Sequence, residues 1–274
     1  MDHDLSLTFV GAGNMAGALI RGLVSTGTVA ASQIAAADPD GARLESLASE
    51  LGIRVTSDNE TAVKQASVVV LATKPQMFAG VLPRLADAIR DDALVISIAA
   101  GMSTASIEAA LRPTTRVVRT MPNTPALVGR GATAVAGGAH ASDDDLALTT
   151  RLFESVGLVV RVPEARIDAV TGVSGSGPAY VFAMIEALRD AGTREGLAPD
   201  TALMLAAHTV RGAAELLIDR EEPPEMLRRK VTSPGGTTLA GLQALDKEGF
   251  REAVHAAVRA ATRRSEELGQ IEAV

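Results

Sequence analysis

Several short stretches combine residue types and spacings suited to chemistry. Gly11-Ala12-Gly13-Asn14-Met15-Ala16 fits G-x-G-x-x-G/A between an apolar run and a helical pattern. In such a loop Gly11 allows the tight turn and Gly13 lets the backbone approach a pyrophosphate. A small residue at Ala16 permits close helix–strand packing, and the N–H groups opening the helix face the phosphates. The same glycines would also serve a plain turn in another kind of α/β protein. Asp38 stands where a ribose selector belongs, at the end of the next strand roughly 20 residues on. A carboxylate there accepts hydrogen bonds from a free 2′-hydroxyl and repels a 2′-phosphate. Arg43 lies close by and Pro39 follows directly, so Asp38 also reads as an ordinary helix-capping aspartate.

Further along, three more strand-like runs end in small or polar residues. Lys74-Pro75 follows one, Ala99-Ala100-Gly101 closes the next, and Pro122 and Pro125 bracket Asn123-Thr124 after a third. A solvated lysine and a strand-ending proline would account for the first of these alone. Taken together they suggest a cofactor trough along one sheet edge, with alanines small enough for a flat ring to lie against backbone. In the second half, Ser233-Pro234-Gly235-Gly236-Thr237-Thr238 places hydroxyls and glycines just before a helix. That composition suits a carboxylate or phosphate. It also suits a helix–helix turn with Thr237 or Thr238 as cap. Gly175-Ser176-Gly177-Pro178 sits inside a helical pattern, where glycine and proline are unfavourable, so close backbone packing or a ligand is expected there.

The absences narrow the chemistry. There is no cysteine, which removes disulfides, thiolate metal sites and a cysteine nucleophile. His3, His140, His208 and His255 fall in no metal-binding or catalytic spacing, and no metal is expected. No lysine lies between Lys74 and Lys230, so no lysine is available on the first long helix of the second half.

The elements that must position these residues follow from periodicity. Leu5–Val10, Gln33–Asp38, Ser67–Thr73, Ala93–Ala100 and Arg116–Thr120 read as strands, the middle ones continuously apolar as in a doubly covered parallel sheet. Helical stretches lie between them: about Ala16–Ser25, one over residues 41–51 stopped by Gly52, and one capped by Ser103 or Thr104. A strand over Ala132–Gly138, a helix capped by Ser142 with acids in its first turn, and a final strand ending at Pro163 complete the alternating region. Beyond it the patterns are all helical. The reading is α/β: a doubly wound, mainly parallel Rossmann domain over residues 1–163 and an all-helical domain over residues 164–274.

A chain of 274 residues has room for two such domains with buried cores. Aromatics make up only 2%, so base stacking is not the activity, and the net charge of -7 argues against nucleic acid or an anionic membrane as partner. The N-terminus is acidic where a signal peptide would be basic, and no apolar run approaches the roughly 20 residues of a membrane span. The cytoplasm is therefore the expected compartment.

The stretches "FVGAGNMAGALIRGL", "LATKPQ", "SIAAGM", "RTMPNTPALVGRGATA", "DAVTGVSGSGPAYVF" and "VTSPGGTTL" together make this chain resemble pyrroline-5-carboxylate reductase, in order and from end to end. The last three are the most specific. The resemblance implies hydride transfer from NADPH or NADH to the C=N carbon of 1-pyrroline-5-carboxylate, giving proline. It implies a homodimer built through the C-terminal helices, commonly assembled further into a decamer. By resemblance the loop Gly11, Ala12, Gly13, Asn14, Met15 and Ala16, together with Asp38, Lys74, Pro75, Ala99 and Ala100, contacts the cofactor. Asn59 lies near the adenosine ribose, and Pro122 and Asn123 border the nicotinamide. Ser233, Gly236, Thr237 and Thr238 hold the substrate carboxylate and ring nitrogen, with Gly175 and Ser176 on the opposite wall. Thr238 is assigned the catalytic role of hydrogen-bonding the ring nitrogen.

Two positions depart from the family pattern. Asp38 stands where NADPH-preferring members often carry a small polar residue, which leaves the cofactor preference open. Lys230 precedes the anion loop where some relatives are neutral, so it either attracts the carboxylate or is a surface charge. A reductase of a related cyclic imino acid and a non-catalytic dinucleotide sensor are the rival readings. A hydroxyacid reductase is disfavoured by the missing lysine.

Overall fold

The computed structural model describes residues 5–112 and 114–271, so His3 lies outside the described residues. Eight strands form one sheet in the order β3-β2-β1-β4-β5-β6-β7-β8. They are β1 (Leu7–Val10), β2 (Ile34–Ala37), β3 (Arg54–Thr56), β4 (Val68–Leu71), β5 (Leu94–Ser97), β6 (Arg116–Met121), β7 (Gly131–Gly137) and β8 (Gly157–Arg161). All pairings are parallel except β6 with β7. β1, β2, β4 and β5 are buried along their whole length, as their largely apolar sequences lead one to expect, with only Thr8 and Ser97 polar. β3 escaped the sequence reading because it is three residues long, half-exposed and carries no apolar run.

Alternation along the strands feeds two cores, one on each face of the sheet. Phe9, Val68, Val70 and Ile96 pack with α1 (Asn14–Ser25), α2 (Gly41–Leu51) and the later α6 (Asp143–Glu154). Val10, Val69, Leu71 and Val95 pack with α3 (Asn59–Val63), α4 (Phe78–Ala86) and α5 (Thr104–Ala110). The helix boundaries obey their local signals. Gly52 closes α2 in the left-handed conformation, Ser103 caps α5, and Ser142 forms a capping box with Asp145 at the start of α6. One close approach demands glycine outright: a Cβ on Gly157, at φ +147°, would fall 2.1 Å from the Gly131 carbonyl oxygen.

After β8 the chain forms α7 (Ile167–Val170) and a π-helical turn (Thr171–Gly175). The helices α8 (Gly177–Arg194), α9 (Pro199–Arg220), α10 (Pro224–Lys230), α11 (Thr237–Lys247) and α12 (Phe250–Ile271) follow. Grouped by contacts, one compact unit comprises the chain up to Ser176 together with the stretch from Arg259 onward, and the other spans Gly177–Val258. The embedded Gly-Ser-Gly-Pro stretch thus does not interrupt one long helix: it ends a π-turn and starts α8. Among the described residues of the second unit little is buried. α8 has no buried residue and α9 only Ala202 and Ala206, while Phe182, Met204 and Ile218 are 61%, 61% and 74% exposed. α9 is 22 residues long with a mean hydropathy of 1.2 over its most apolar window. By length and composition it is apolar enough to cross a membrane, which corrects the expectation that no apolar run approaches a membrane span.

A buried polar node in the first unit ties these segments together. Arg119, on β6 and 4% exposed, lies 3.2 Å from Asp168 of α7 and 3.6 Å from Glu164. Asp168 Oδ1 also accepts a 2.7 Å hydrogen bond from Ser265 of α12, and Glu164 accepts from the Thr104 amide and hydroxyl at the start of α5. The chain leaves this unit just after Asp168 and re-enters it just before Ser265, so one carboxylate holds both passages. Removing Asp168 leaves the buried Arg119 charge with only Glu164, at 3.6 Å, among the described residues. Asp168→Ala is therefore expected to lower unfolding free energy by about 3 kcal/mol in chemical denaturation, with Asp168→Asn less damaging.

Candidate active site

The strand register sets the site. Val10 pairs with both Ala37 and Leu71, Leu71 with Ser97, and Ser97 with Arg119. The C-terminal ends of β1, β2, β4 and β5 are therefore level, β6 runs two residues further to Met121, and the residues that follow these strands form one rim. This brings Gly11–Ala16, Asp38, Lys74-Pro75, Ala99-Ala100 and Pro122-Asn123 to a single edge, with the order reversing at β1/β4. Ligands of open α/β sheets bind at such a point.

The glycine loop has the shape of a phosphate cradle. Gly11 adopts φ +103°, its amide donates to the Ala37 carbonyl, and a Cβ on it would lie 2.7 Å from the Ala72 backbone. A Cβ on Gly13 would meet no atom within 4 Å, so that backbone stands open to a ligand. Gly13 caps α1 without a side-chain hydrogen bond, and the first turn carries no acid. The α1 N-terminus therefore keeps its affinity for an anion. Beside the loop, the buried Thr73 Oγ1 has no hydrogen-bond partner. These features fit a dinucleotide.

Asp38 is 8% exposed, and both its oxygens bind backbone. The Ala12 amide donates to Oδ2 at 2.7 Å and the Asp40 amide to Oδ1 at 2.9 Å. Asp38 thus braces the glycine loop, and the helix-cap alternative is corrected. The cap of α2 is Asp40, whose Oδ1 accepts from the Ala42 and Arg43 amides because only it stands one residue before the helix. Asn59 opens α3 next to its cap Asp58. The Thr61 hydroxyl, with lesser help from the Thr61 and Glu60 amides and the Lys64 charge, holds the Asp58 carboxyl below the usual carboxylate range.

Farther along the rim, Lys74 is exposed and caps a 3-10 turn beginning at Pro75. Ala99 is buried and Ala100 half-buried. Pro122 and Asn123 are buried, and the Asn123 side chain is committed to structure: Oδ1 accepts from the Ala132 amide and Nδ2 donates to the Ser174 carbonyl. Asn123 therefore fixes the π-turn that ends at Gly175. A Cβ on Gly175 would lie 2.5 Å from Met121 Cε, which gives the close-packing motive for glycine there, and Ser176 donates its amide to Thr171.

In the second unit Ser233–Gly236 forms a turn closed by a 3.1 Å bond from the Gly236 amide to the Ser233 carbonyl. Pro234 and Gly235 (φ +70°) occupy its central positions, the type II pattern. Gly236, not Thr237 or Thr238, caps α11, and it offers no side-chain bond. Both threonines are already helical, so the threonine-cap alternative does not hold. Ser233, Thr237 and Thr238 are exposed around this uncapped helix start. Lys230 is tied to Glu222 at 2.6 Å, so its charge is paired within α10's own surroundings.

Comparisons with known proteins agree with this geometry. The family profile "Pyrroline-5-carboxylate reductase dimerisation" matches residues 164–268, and "NADP oxidoreductase coenzyme F420-dependent" matches residues 6–101. A pyrroline-5-carboxylate reductase of Synechocystis is 48% identical over 266 residues, covering 97% of this chain and 99% of that one. The chain belongs to the pyrroline-5-carboxylate reductase family. The family's enzyme from Pseudomonas aeruginosa is 44% identical over 96% of this chain and 97% of its own. The Coxiella burnetii structure superposes with TM-score 0.91 at 37% identity, covering 97% of this chain and 99% of that one. A Plasmodium falciparum family structure with NADP bound gives TM-score 0.87 at 30% identity, covering 97% and 98%.

The sequence reading missed Asp40, Thr73 and Arg119. A capping signal at Asp40 was available, because it immediately precedes the helical run.

The two loop glycines should separate fold from binding. Gly11→Ala is expected to lower the melting temperature by several degrees, since its Cβ meets backbone at positive φ. Gly13→Ala should melt like the parent protein yet lose at least about tenfold in dinucleotide affinity by titration calorimetry, because the methyl group occupies space the pyrophosphate needs.

Proposed function

We propose that this chain reduces 1-pyrroline-5-carboxylate to L-proline with NADPH or NADH, as the last step of proline biosynthesis in the cytoplasm. The end-to-end match to relatives bearing that name, 48% identical over 97% of the chain, carries the reading. The level rim of strand ends and the open start of α11 support it. In this proposal residues 1–163 bind the dinucleotide and residues 164–274 bind substrate and dimerise.

When bound, the reduced nicotinamide supplies hydride to the imine carbon. The substrate imine enters protonated and keeps that proton as the amine forms, so the protein's task is orientation rather than strong acid catalysis. The loop Gly11–Ala16 and the N-terminus of α1 hold the pyrophosphate. Asn59 serves the adenosine ribose, and Lys74 and Pro75 flank the dinucleotide. Ala99 and Ala100 let a flat ring lie against backbone, with Pro122 and the fixed Asn123 at its border. Gly175 and Ser176 shape the wall opposite. Ser233, Gly236 and Thr237 receive the substrate carboxylate at the uncapped end of α11, where amides and the helix dipole favour an anion. The Thr238 hydroxyl Oγ1 hydrogen-bonds the ring nitrogen and holds its proton in place.

The exposed apolar residues of α8 and α9 are the surface of a homodimer formed through these helices, with dimers assembling into a larger ring such as a decamer. Light scattering should give a mass that is an even multiple of 28.2 kDa. Phe182→Glu with Met204→Glu should reduce it to monomer.

The purified protein should consume reduced nicotinamide in step with proline formation. Thr238→Ala should lower kcat by roughly tenfold to a hundredfold with Thr238→Ser largely restoring it, whereas Ser233→Ala should act mainly on KM. Full turnover by Thr238→Ala would remove the role assigned to its hydroxyl.

A further inference from the structure

We propose that this chain selects NADH over NADPH, because Asp40 and Asp38 fill from within the place at the β2–α2 turn where a 2′-phosphate would have to sit. The inference rests on the dinucleotide reading of the rim and not on the identity of the imine.

The end of β2 and the start of the following helix are where a doubly wound sheet meets the adenosine ribose. To accept a 2′-phosphate there, a protein needs unpaired amides, a free cation, or both. Here most of those groups are already engaged. The amides of Ala42 and Arg43 donate to Asp40 Oδ1 at 3.1 and 3.3 Å. The Arg43 guanidinium reaches Asp40 Oδ2 at 3.0 Å. The Asp40 amide is bound to Asp38 Oδ1. One carboxylate therefore does what a phosphate would do: it caps the helix and neutralises the arginine.

The next strand end repeats the arrangement. Asp58 caps α3 through the Glu60 amide and binds the Thr61 hydroxyl. A dianionic phosphate entering this neighbourhood meets Asp38, Asp40 and Asp58. Among the described residues, Arg43 is the cation on the turn itself, already paired, and Lys64 is the charge that acts on Asp58. A free 2′-hydroxyl meets no such opposition. Each Asp38 oxygen accepts one backbone hydrogen bond, and a carboxylate oxygen has two lone pairs, so acceptor capacity remains for a hydroxyl.

Asp38 cannot readily move aside for a phosphate, because its other oxygen holds Ala12 at 2.7 Å. Selection against the phosphate and support of the pyrophosphate loop thus depend on the same side chain. A change that admits NADPH at Asp38 also loosens the loop. A change at Asp40 does not, because asparagine caps a helix as well as aspartate does.

The test is a binding titration of the full-length protein with NADH and with NADPH, followed by nicotinamide fluorescence without substrate. NADH should bind at least about tenfold more tightly. Asp40→Asn keeps the cap, removes one charge and releases Arg43. It should narrow the ratio by about fivefold or more while leaving NADH affinity within about twofold. Asp38→Ser should narrow the ratio further and weaken both cofactors. If Asp38→Ser does not fold, Asp40→Asn alone decides. Equal or tighter NADPH binding by the parent protein overturns the proposal. So does a ratio unmoved by Asp40→Asn, or failure of both dinucleotides to bind. The reductase reading is judged apart: NADH-selective binding without proline formation would sink that reading and leave the selectivity standing. Proline formation with no cofactor preference would do the reverse.

Discussion

Val10 is hydrogen-bonded in register to Ala37 on one side and Leu71 on the other. Everything functional in the first unit depends on that alignment. Parallel strands with evenly spaced ladders cannot slip by one residue without sending Phe9 and Val10 to the wrong cores, so burial on both faces locks the register. Once locked, it delivers the glycine loop, Asp38, Lys74, Ala99 and Pro122 to one line, although they are scattered over more than a hundred positions of sequence. The cores hold the strand ends level, and the level ends make a binding edge.

Much of the polar chemistry on that edge is turned inward. Asp38 holds the backbone of the glycine loop, Asn123 joins β7 to the π-turn, and Arg119 gathers Glu164 and Asp168. Buried polar groups are costly unless bonded, so each must be satisfied by the chain itself. The result is a rim whose ligand-facing parts are largely backbone and small side chains. Backbone amides in a fixed loop need no reorganisation when an anion arrives. That suits a reaction whose main requirement is that two flat, pre-activated rings be held face to face.

The Rossmann architecture was legible because its signals are local. Continuous runs such as Val68–Leu71 announce doubly covered strands, Gly52 marks a helix end by its left-handed backbone, and Ser103 and Ser142 mark helix starts by side chains that accept from the first-turn amides. The strand ends announced a cofactor edge because small, cyclic and polar residues recur at several of them in succession. What stayed hidden depends on partners distant in sequence. Nothing near Asp38 reveals that its oxygen reaches back to Ala12, and nothing near Ser265 that it meets Asp168. The three-residue β3 is held by its pairing with β2 and not by its own composition. The Ser-Pro-Gly-Gly turn was recognisable as a turn, yet whether a threonine or Gly236 would cap α11 depended on one residue's backbone angles.

The return of α12 to the first unit has a consequence for how the protein is made. Gly269 passes so close to Gly101 that a Cβ on it would stand 2.6 Å from the Gly101 carbonyl oxygen, and Ser265 completes the partners of Asp168. The sheet strands are made before the helices of the second unit, and domains ordinarily fold in that order. Here some of the first unit's contacts are supplied by residues made only after the whole of Gly177–Val258. Until that stretch emerges, Asp168 lacks the Ser265 hydroxyl, and the cofactor domain waits on a segment that follows its neighbour.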